Sequence, residues 1–396
     1  MRVGYVLDSF PELSQTFVTN EIKELRATGA EVTIVTTRPP SSPADQDAAF
    51  CLKDVTEAQW RSARRHWMRH HPLRFARFRT RVANLQLRER GVEPRFTWQA
   101  MLAAALHLES ARVQHLHAHF AWDGAAAAFC IAPLLGIPWS VTLHANDIFA
   151  ERRNLQLKLR TADRLVTVCD YNLDFLRSEL GLTRDVDMVI CGVELPSQPA
   201  TRTEPAIDVI AVGRLVEKKG FDLLIRAAAD LVTRGRPVHV TIVGLGPELD
   251  ALRDLASSLE VTDWITFAGA LAHDDALKLV STSRLFALPA RVASTGDRDS
   301  MPVVIKEAMA LGIPVIGTAV AAIPEMIDEE VGRLIPAEDP AALGQAIDEL
   351  MSLSATEQRA IGTRGRNRVA QRFQLQAEVA KLTHVFDRAT AHLKQS

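Results

Sequence analysis

Twice along this chain, short apolar runs alternate with segments whose apolar side chains recur at helical spacing, and one polar, proline-containing stretch separates the two series. A continuous apolar run reads as a strand buried on both faces, and strand, helix, strand alternation joins such strands in parallel beneath covering helices. The first series begins with a strand at Val3–Leu7 and a helix over Thr16–Ala27, with Phe17, Ile22 and Leu25 on its apolar stripe and Gly29 beyond it. It continues with strands at Glu31–Thr36, Val113–Phe120, Pro138–Leu143, Arg164–Val168 and Asp187–Ile190, the last two flanking a helix over Tyr171–Leu180 that Gly181 closes. Glu194–Pro205 has the composition of an interdomain linker. The second series runs through strands at Val209–Val212, His239–Val243, Ile265–Ala270, Leu285–Pro289 and Gly332–Ile335 to a last helix over Leu375–Leu393. An α/β chain of two domains follows, with boundaries at 1–195 and 196–374 and a closing helix over 375–396.

At 396 residues, 47% of them apolar, the chain can fill two cores of ordinary size. A net charge of -2 argues against a general binder of nucleic acid. Cys51, Cys130, Cys169 and Cys191 are widely spaced and form no CxxC pair, which fits a reduced cytoplasm. The N-terminus enters a strand pattern without a signal-peptide core, and the longest apolar run, around Gly124–Ile137, is too short to span a bilayer. A soluble or peripheral cytoplasmic protein is expected.

The chemistry concentrates in Thr295–Thr318, which reads as a loop, a short helix and a buried strand. Pro302 suits the first turn of the helix and Gly312 the position past its end, so the helix is expected over Pro302–Leu311. Asp299 then lies beside the unpaired N-H groups of the helix start, and Glu307 projects about 8 Å further along. A carboxylate accepts through two oxygens, so each acid can hold one diol of a polar ligand. Upstream, the strand at Val209–Val212 runs into GRLVEKKGFDLL, where Gly213 permits close approach, Arg214 and Lys219 supply charge, and Gly220 opens a helix whose N-terminus attracts anions. Those are the parts of a phosphate site. Gly244, after the next strand, permits a similar approach to a nucleotide.

In the first series His115, His117 and His119 alternate along one strand and so share a face. A zinc site would need further ligands that the sequence does not offer. His144 ends the following strand, at the carboxyl edge where open α/β sheets present ligands. The loop Asp8–Thr16 lies at the same edge, and Ser14 and Gln15 either offer backbone N-H groups to a phosphate or acceptor hydroxyl or, in Ser14, supply a plain N-cap.

The two acids separated by seven residues, with GR-x4-KG ahead of them, resemble the donor signature of family 4 retaining glycosyltransferases of the GT-B fold. The resemblance implies two Rossmann-like domains facing a cleft, with the last helix crossing back to the first domain. It implies that Glu307 binds a nucleotide ribose, Asp299 the transferred sugar, and Arg214 and Lys219 the diphosphate. Gly213, Gly244, Gly269, Leu271, Met301, Pro302 and Val303 belong to the same implied donor site, the chain at Gly269 to Leu271 meeting the base through its backbone. His144 would reach toward the sugar. The string HAHF resembles exopolysaccharide-type members, in which the last histidine, here His119, stands near the acceptor side with Ser14 and Gln15. Asp299 departs from the commoner glutamate, and the first loop lacks the family's glycine pair. Implied partners are a nucleotide sugar, favoured as a UDP-sugar, and a saccharide, lipid-linked or small-molecule acceptor, with no further cofactor.

Other readings compete. Asp297, Arg298 and Asp299 form a DxD string that could hold Mg²⁺ against a diphosphate. A GT-B nucleotide-sugar epimerase, or transfer to a soluble natural product, would use a similar donor site. A binding module without chemistry finds its support in Gln59–Arg88, part of an inserted segment over 58–98. There Arg61, Arg64, Arg65, Arg69, Arg74, Arg77, Arg79 and Arg81 stand among Trp60, Trp67, Phe75 and Phe78 without an acid. Trp60, Trp67 and Met68 fall on one helical face, with Pro72 dividing two helices. The segment is expected either to lie on an anionic membrane or to pack against the first domain.

Overall fold

The computed structural model describes residues 1–12, 15–40, 49–88, 96–199 and 207–393. They divide into two compact units, Met1–Ile190 with Val379–Ser396, and Cys191–Glu378.

The first unit holds strands β1 (Arg2–Leu7), β2 (Glu31–Thr36), β3 (Phe50–Cys51), β4 (His115–His119), β5 (Trp139–Leu143), β6 (Arg164–Thr167) and β7 (Asp187–Met188). They form one sheet in the order β3-β2-β1-β4-β5-β6-β7, parallel at every pairing. β1, β4 and β5 are buried almost throughout, as central strands of a parallel sheet are, although β4 carries three histidines and β5 a serine and a threonine. The helix Thr16–Ala27 has its expected bounds, while the strand expected over Asp187–Ile190 stops at Met188. The N-cap of that helix is Gln15, whose side chain makes no capping bond, and Ser14 lies outside the described residues.

The inserted segment forms two helices, Glu57–His70, opened by a capping box of Thr56 and Gln59, and Pro72–Arg88. Pro72 divides them as expected. Their inner face, with Ala63, Trp67, Phe78, Val82 and Leu85, is buried against the helices Trp98–Ser110 and Asp123–Leu135. Trp67 Nε1 donates to the Leu102 carbonyl at 3.2 Å, and Arg74 and Arg81 donate to the Leu135 and Phe129 carbonyls. The expected common face of Trp67 and Met68 is therefore corrected: successive residues stand about 100° apart on a helix, so Trp67 is fully buried while Met68 is 49% exposed. The aromatic side of the segment serves the domain's own core.

The second unit holds β8 (Ile207–Val212), β9 (Val240–Val243), β10 (Ile265–Gly269), β11 (Ser283–Leu288), β12 (Val315–Thr318) and β13 (Gly332–Ile335), again all parallel, in the order β10-β9-β8-β11-β12-β13. Its chain enters and leaves side by side: Val193 N-H donates to the Phe373 carbonyl and Leu375 N-H to the Val193 carbonyl. The helix Leu375–Leu393 then carries the chain back into the first unit. Val379, Leu382, Val385, Phe386 and Ala389 recur at helical spacing on its buried side, and the Phe386 ring lies 4.7 Å from that of His115 and 5.0 Å from that of His117. No helix among the described residues is long and apolar enough to cross a membrane.

Candidate active site

In a parallel sheet whose strand order reverses, the loops after the two strands at the reversal diverge and leave a ligand site at their carboxyl ends. In the second unit that point falls between β8 and β11. The loop after β8 carries Gly213, Arg214, Lys218 and Lys219; the loop after β11 carries Asp297 and Asp299. Hydrogen bonds stitch the two together. Arg291 N-H donates to the Lys218 carbonyl at 2.9 Å, and Ser294 donates its N-H and hydroxyl to the Glu217 carboxylate at 2.8 and 2.7 Å.

The neighbouring loops lie flat against them. Gly213 N-H donates to the Val243 carbonyl, Leu215 N-H to that of Leu245, and Gly244 N-H to that of Gly269. Gly244 has φ +144°, and a Cβ there would stand 1.9 Å from the Gly213 carbonyl oxygen. Only glycine permits this crossing. Three of the expected donor glycines thus form one platform beside the cations.

Lys219 Nζ lies 2.5 Å from Asp299 Oδ2, while Lys218 Nζ lies 3.3 Å from Asp299 Oδ1 and 3.0 Å from Asp297 Oδ2. Burial opposes ionisation of Asp299, but the two ammonium groups outweigh it and hold the carboxyl at about 2. Asp299 is an anion throughout the physiological range. Arg214 is exposed, and its guanidinium makes no ion pair among the described residues. Lys218, which the sequence reading passed over for Lys219, bridges both acids.

The helix after this loop runs over Val303–Ala310, one residue shorter at each end than expected, with Pro302 as its N-cap. Its end is a Schellman motif: Gly312, at φ +76°, donates to the Met309 carbonyl and Ile313 to that of Ala308. Met301 and Pro302 are buried and Val303 half-buried. Glu307 sits on this helix with 12% of its side chain exposed, and its Oε1 meets His273 Nε2 at 2.7 Å. That hydrogen bond raises the His273 pKa above the ordinary histidine value, against burial. His273 opens the helix His273–Ser281, two residues beyond Leu271. No spacing in the sequence connects it with Glu307.

In the first unit the reversal falls between β1 and β4, and His119 and His144 stand at the ends of β4 and β5. His119 Nδ1 lies 3.0 Å from His144 Nε2, and His119 Nε2 lies 2.8 Å from Glu21 Oε1. The backbone of His144 is pinned on both sides, its N-H to Asp147 Oδ1 at 3.1 Å and its carbonyl by the Asn172 amide. Burial pushes the Asp147 carboxyl up to about 6, against the backbone N-H groups it accepts from. Glu21, His117 and His119 bring ligand atoms within 4.8 Å of one another, as do His66, His71 and Glu109 on the inserted segment and its neighbour. In the first group, however, the ring nitrogens already have protein partners: His117 meets the Ser140 and Thr142 hydroxyls at 2.7 and 3.1 Å, and His119 meets Glu21 and His144. The alternating histidines are held by hydrogen bonds. Glu21 had a readable signal that went unused, since Phe17, Glu21 and Leu25 recur every fourth position and set an acid on the buried stripe.

Two parallel-sheet α/β units in one chain, the second with glycine loops, paired cations and two acids at its strand reversal, define a glycosyltransferase of the GT-B class. The sequence model for glycosyltransferase family 4 matches residues 14–196 and that for glycosyl transferases group 1 matches residues 195–368. This chain belongs to the family 4 glycosyltransferases. It is 27% identical to the putative colanic acid biosynthesis glycosyltransferase WcaL of Escherichia coli, over 95% of this chain and 97% of that one. It is 30% identical, over 45% of this chain and 47% of the other, to a GDP-mannose-dependent alpha-(1-6)-phosphatidylinositol monomannoside mannosyltransferase of Mycolicibacterium smegmatis. The fold matches that of HepE from Anabaena, determined in complex with UDP-glucose, with a TM-score of 0.69 at 14% identity over 98% of this chain and all of that one.

Proposed function

We propose that this enzyme transfers a hexosyl or N-acetylhexosaminyl group from a nucleoside-diphosphate sugar, by preference a UDP-sugar, to a hydroxyl of a saccharide acceptor in polysaccharide assembly. Anomeric configuration is retained and no divalent metal takes part. The observation that carries this reading is the arrangement of Arg214, Lys218 and Lys219 on one loop of the strand reversal, with Asp299 and Glu307 following the facing strand. Departure of a nucleoside diphosphate builds negative charge on phosphate oxygens. Fixed cations favour that charge more in the transition state than in the ground state, the difference that raises a rate. As the sugar-phosphate bond breaks, the acceptor oxygen bonds the anomeric carbon on the same face, and its proton passes to the departing phosphate. Glu307 holds the ribose diol and Asp299 the sugar hydroxyls. The likeness to a colanic acid transferase along nearly the whole chain supports the polysaccharide setting.

Metal independence is supported by Lys218 and Lys219, which neutralise the two carboxylates that a divalent ion would otherwise bridge. Transfer is expected to persist in EDTA; activity lost there and restored by Mg²⁺ would overturn this. A thermal-shift panel with UDP, GDP and ADP tests the donor, with the largest stabilisation expected from UDP. Formation of an epimerised nucleotide sugar without any acceptor would favour the epimerase reading instead.

The outer face of the inserted helices supports a cytoplasmic location against an anionic membrane, and with it a lipid-linked acceptor. Arg64, Arg65, Arg69 and Arg77 are exposed and make no ion pair among the described residues, and Met68 and Leu73 protrude among them, 49% and 76% exposed. Charges of this kind gain about 1 kcal/mol each near an anionic leaflet. Co-sedimentation with phosphatidylglycerol vesicles is expected, weakened by salt and by changing the four arginines to glutamine. Absence of binding at low salt would refute it.

A further inference from the structure

Where the first inserted helix ends, two imidazoles converge on one acid of a neighbouring helix. His66 and His71 are five residues apart, so on an unbroken helix they would stand about 140° apart and could not share a ligand. Pro72 breaks that path. The residue before a proline is held off the helical conformation, and His71, the C-cap of the helix Glu57–His70, has φ -139° and ψ 55°. Both rings then come to face Glu109, near the end of the helix Trp98–Ser110. His66 Nε2 lies 2.7 Å from Glu109 Oε2, and His71 Nε2 lies 3.7 Å from Glu109 Oε1. Trp67 supports the two rings, 5.2 Å from that of His66 and 5.5 Å from that of His71, while its own indole is fully buried and bonded to the Leu102 carbonyl.

One polar atom of this group is left over. Although Glu109 Oε2 is close, it lies off the direction in which the ring nitrogen bonds, and His66 Nε2 is buried without a hydrogen-bond partner among the described residues. His66, His71 and Glu109 each bring a ligand atom within 4.8 Å of the others, and their side chains are 29%, 35% and 35% exposed, so an ion can enter from solvent. Ligands at about 2.0 to 2.1 Å around a tetrahedral ion stand about 3.3 Å from one another, and the two separations to Glu109 straddle that spacing. Two imidazole nitrogens and a carboxylate are donors that Zn²⁺ takes, whereas Mg²⁺ and Ca²⁺ require oxygen. We propose that His66, His71 and Glu109 bind one Zn²⁺ ion, with water in the fourth position, and that the ion staples the inserted segment to the helix Trp98–Ser110. The ion takes the lone pair of His66 Nε2, and Glu109 supplies the negative charge. His70 brings its ring to 4.9 Å from that of His66, but its nitrogens lie outside the group. None of the three ligands belongs to the proposed donor site; the ion is structural and takes no part in transfer.

Calorimetric titration of the full chain with ZnCl₂ at pH 7.5, where an ordinary imidazole is mostly unprotonated, is expected to show one saturable site for which Mg²⁺ does not compete. Zn²⁺ at a hundredfold excess over its Kd should raise the transition of the first unit by about 5 °C or more and slow amide exchange across Glu57–His70, and EDTA should reverse both. His71→Ala and Glu109→Gln should each weaken binding about tenfold or more and abolish the shift. Glu109→Gln preserves the volume of the side chain, so its zinc-free transition should match that of the parent. His70→Ala should bind as the parent does. Absence of saturable binding in the parent, or parent-like affinity in His71→Ala and Glu109→Gln, would overturn the proposal. Loss of binding in His70→Ala would overturn the ligand set, and binding without the thermal shift and the exchange protection would overturn the staple.

Discussion

Different cations face Asp299 and Glu307. Asp299 is locked between Lys218 and Lys219, whereas Glu307 has the single imidazole of His273. Lys219→Ala and Glu307→Ala are each expected to lower transfer by about a hundredfold or more while leaving the thermal transition in place, because each removes a proposed ligand contact on a loop or helix edge. Near-normal rates in either would sink the assignment. Asp299→Asn keeps the shape but loses acceptor capacity and charge, so transfer and donor hydrolysis should fall together. The pattern of two acids and GR-x4-KG made these residues legible in the sequence. Lys218 and His273 were not legible, since choosing between adjacent lysines requires knowing how the loop turns, and His273 reaches Glu307 only through packing of two helices. Glu21 was legible from helical period alone.

At the scale of elements, period predicted most strands and the short helix of the proposed donor site, and erred by a residue or two where a cap decided the end. The helix Val303–Ala310 owes its close to Gly312. Gly312→Ala forces a side chain into the left-handed region at φ +76°, and should lower stability of the second unit by about 1 to 2 kcal/mol, read by denaturant titration. The inserted helices show where composition misleads. Tryptophan beside arginine suggested a lipid-facing side, yet Trp67 and Phe78 are fully buried, and the charges and two small apolar protrusions face outward. The expectation of packing against the first domain holds on the inner face of these helices, and the outer face displays the arginines. Phe386→Ala in the last helix removes the ring that covers His115 and His117, and should cost the first unit about 3 to 5 kcal/mol. The second unit's transition should not move.

The whole molecule should answer acidification in two directions. Burial holds His115 neutral, its pKa lowered to about 3, and holds that of His117 well below the ordinary histidine value, with the neighbouring histidines adding to it. The unfolded chain takes up those protons near pH 6.5 while the folded unit does not, so the first unit weakens as pH falls from 7.5 to 6. Asp147, raised to about 6, binds a proton in the folded state and offsets part of this loss, leaving a net of about 1 kcal/mol. His273 works in reverse: its raised pKa gives a contribution fully present below 6.5 and lost as pH rises through the folded value. Calorimetry at pH 7.5 and 6 should show one transition moving down and the other up; two transitions moving together would contradict this. The return of the last helix bears on synthesis. The second unit is one unbroken stretch, Cys191–Glu378, but the first needs Val379–Ser396, which leave a ribosome after the whole of the second. Translation order and maturation order are therefore inverted. The unit made second can finish first, and the one made first waits, its His115 and His117 uncovered, until Phe386 arrives. A nascent chain stalled before residue 379 would display that unfinished surface to chaperones, and premature termination anywhere in the final helix would act as a lesion of the N-terminal half.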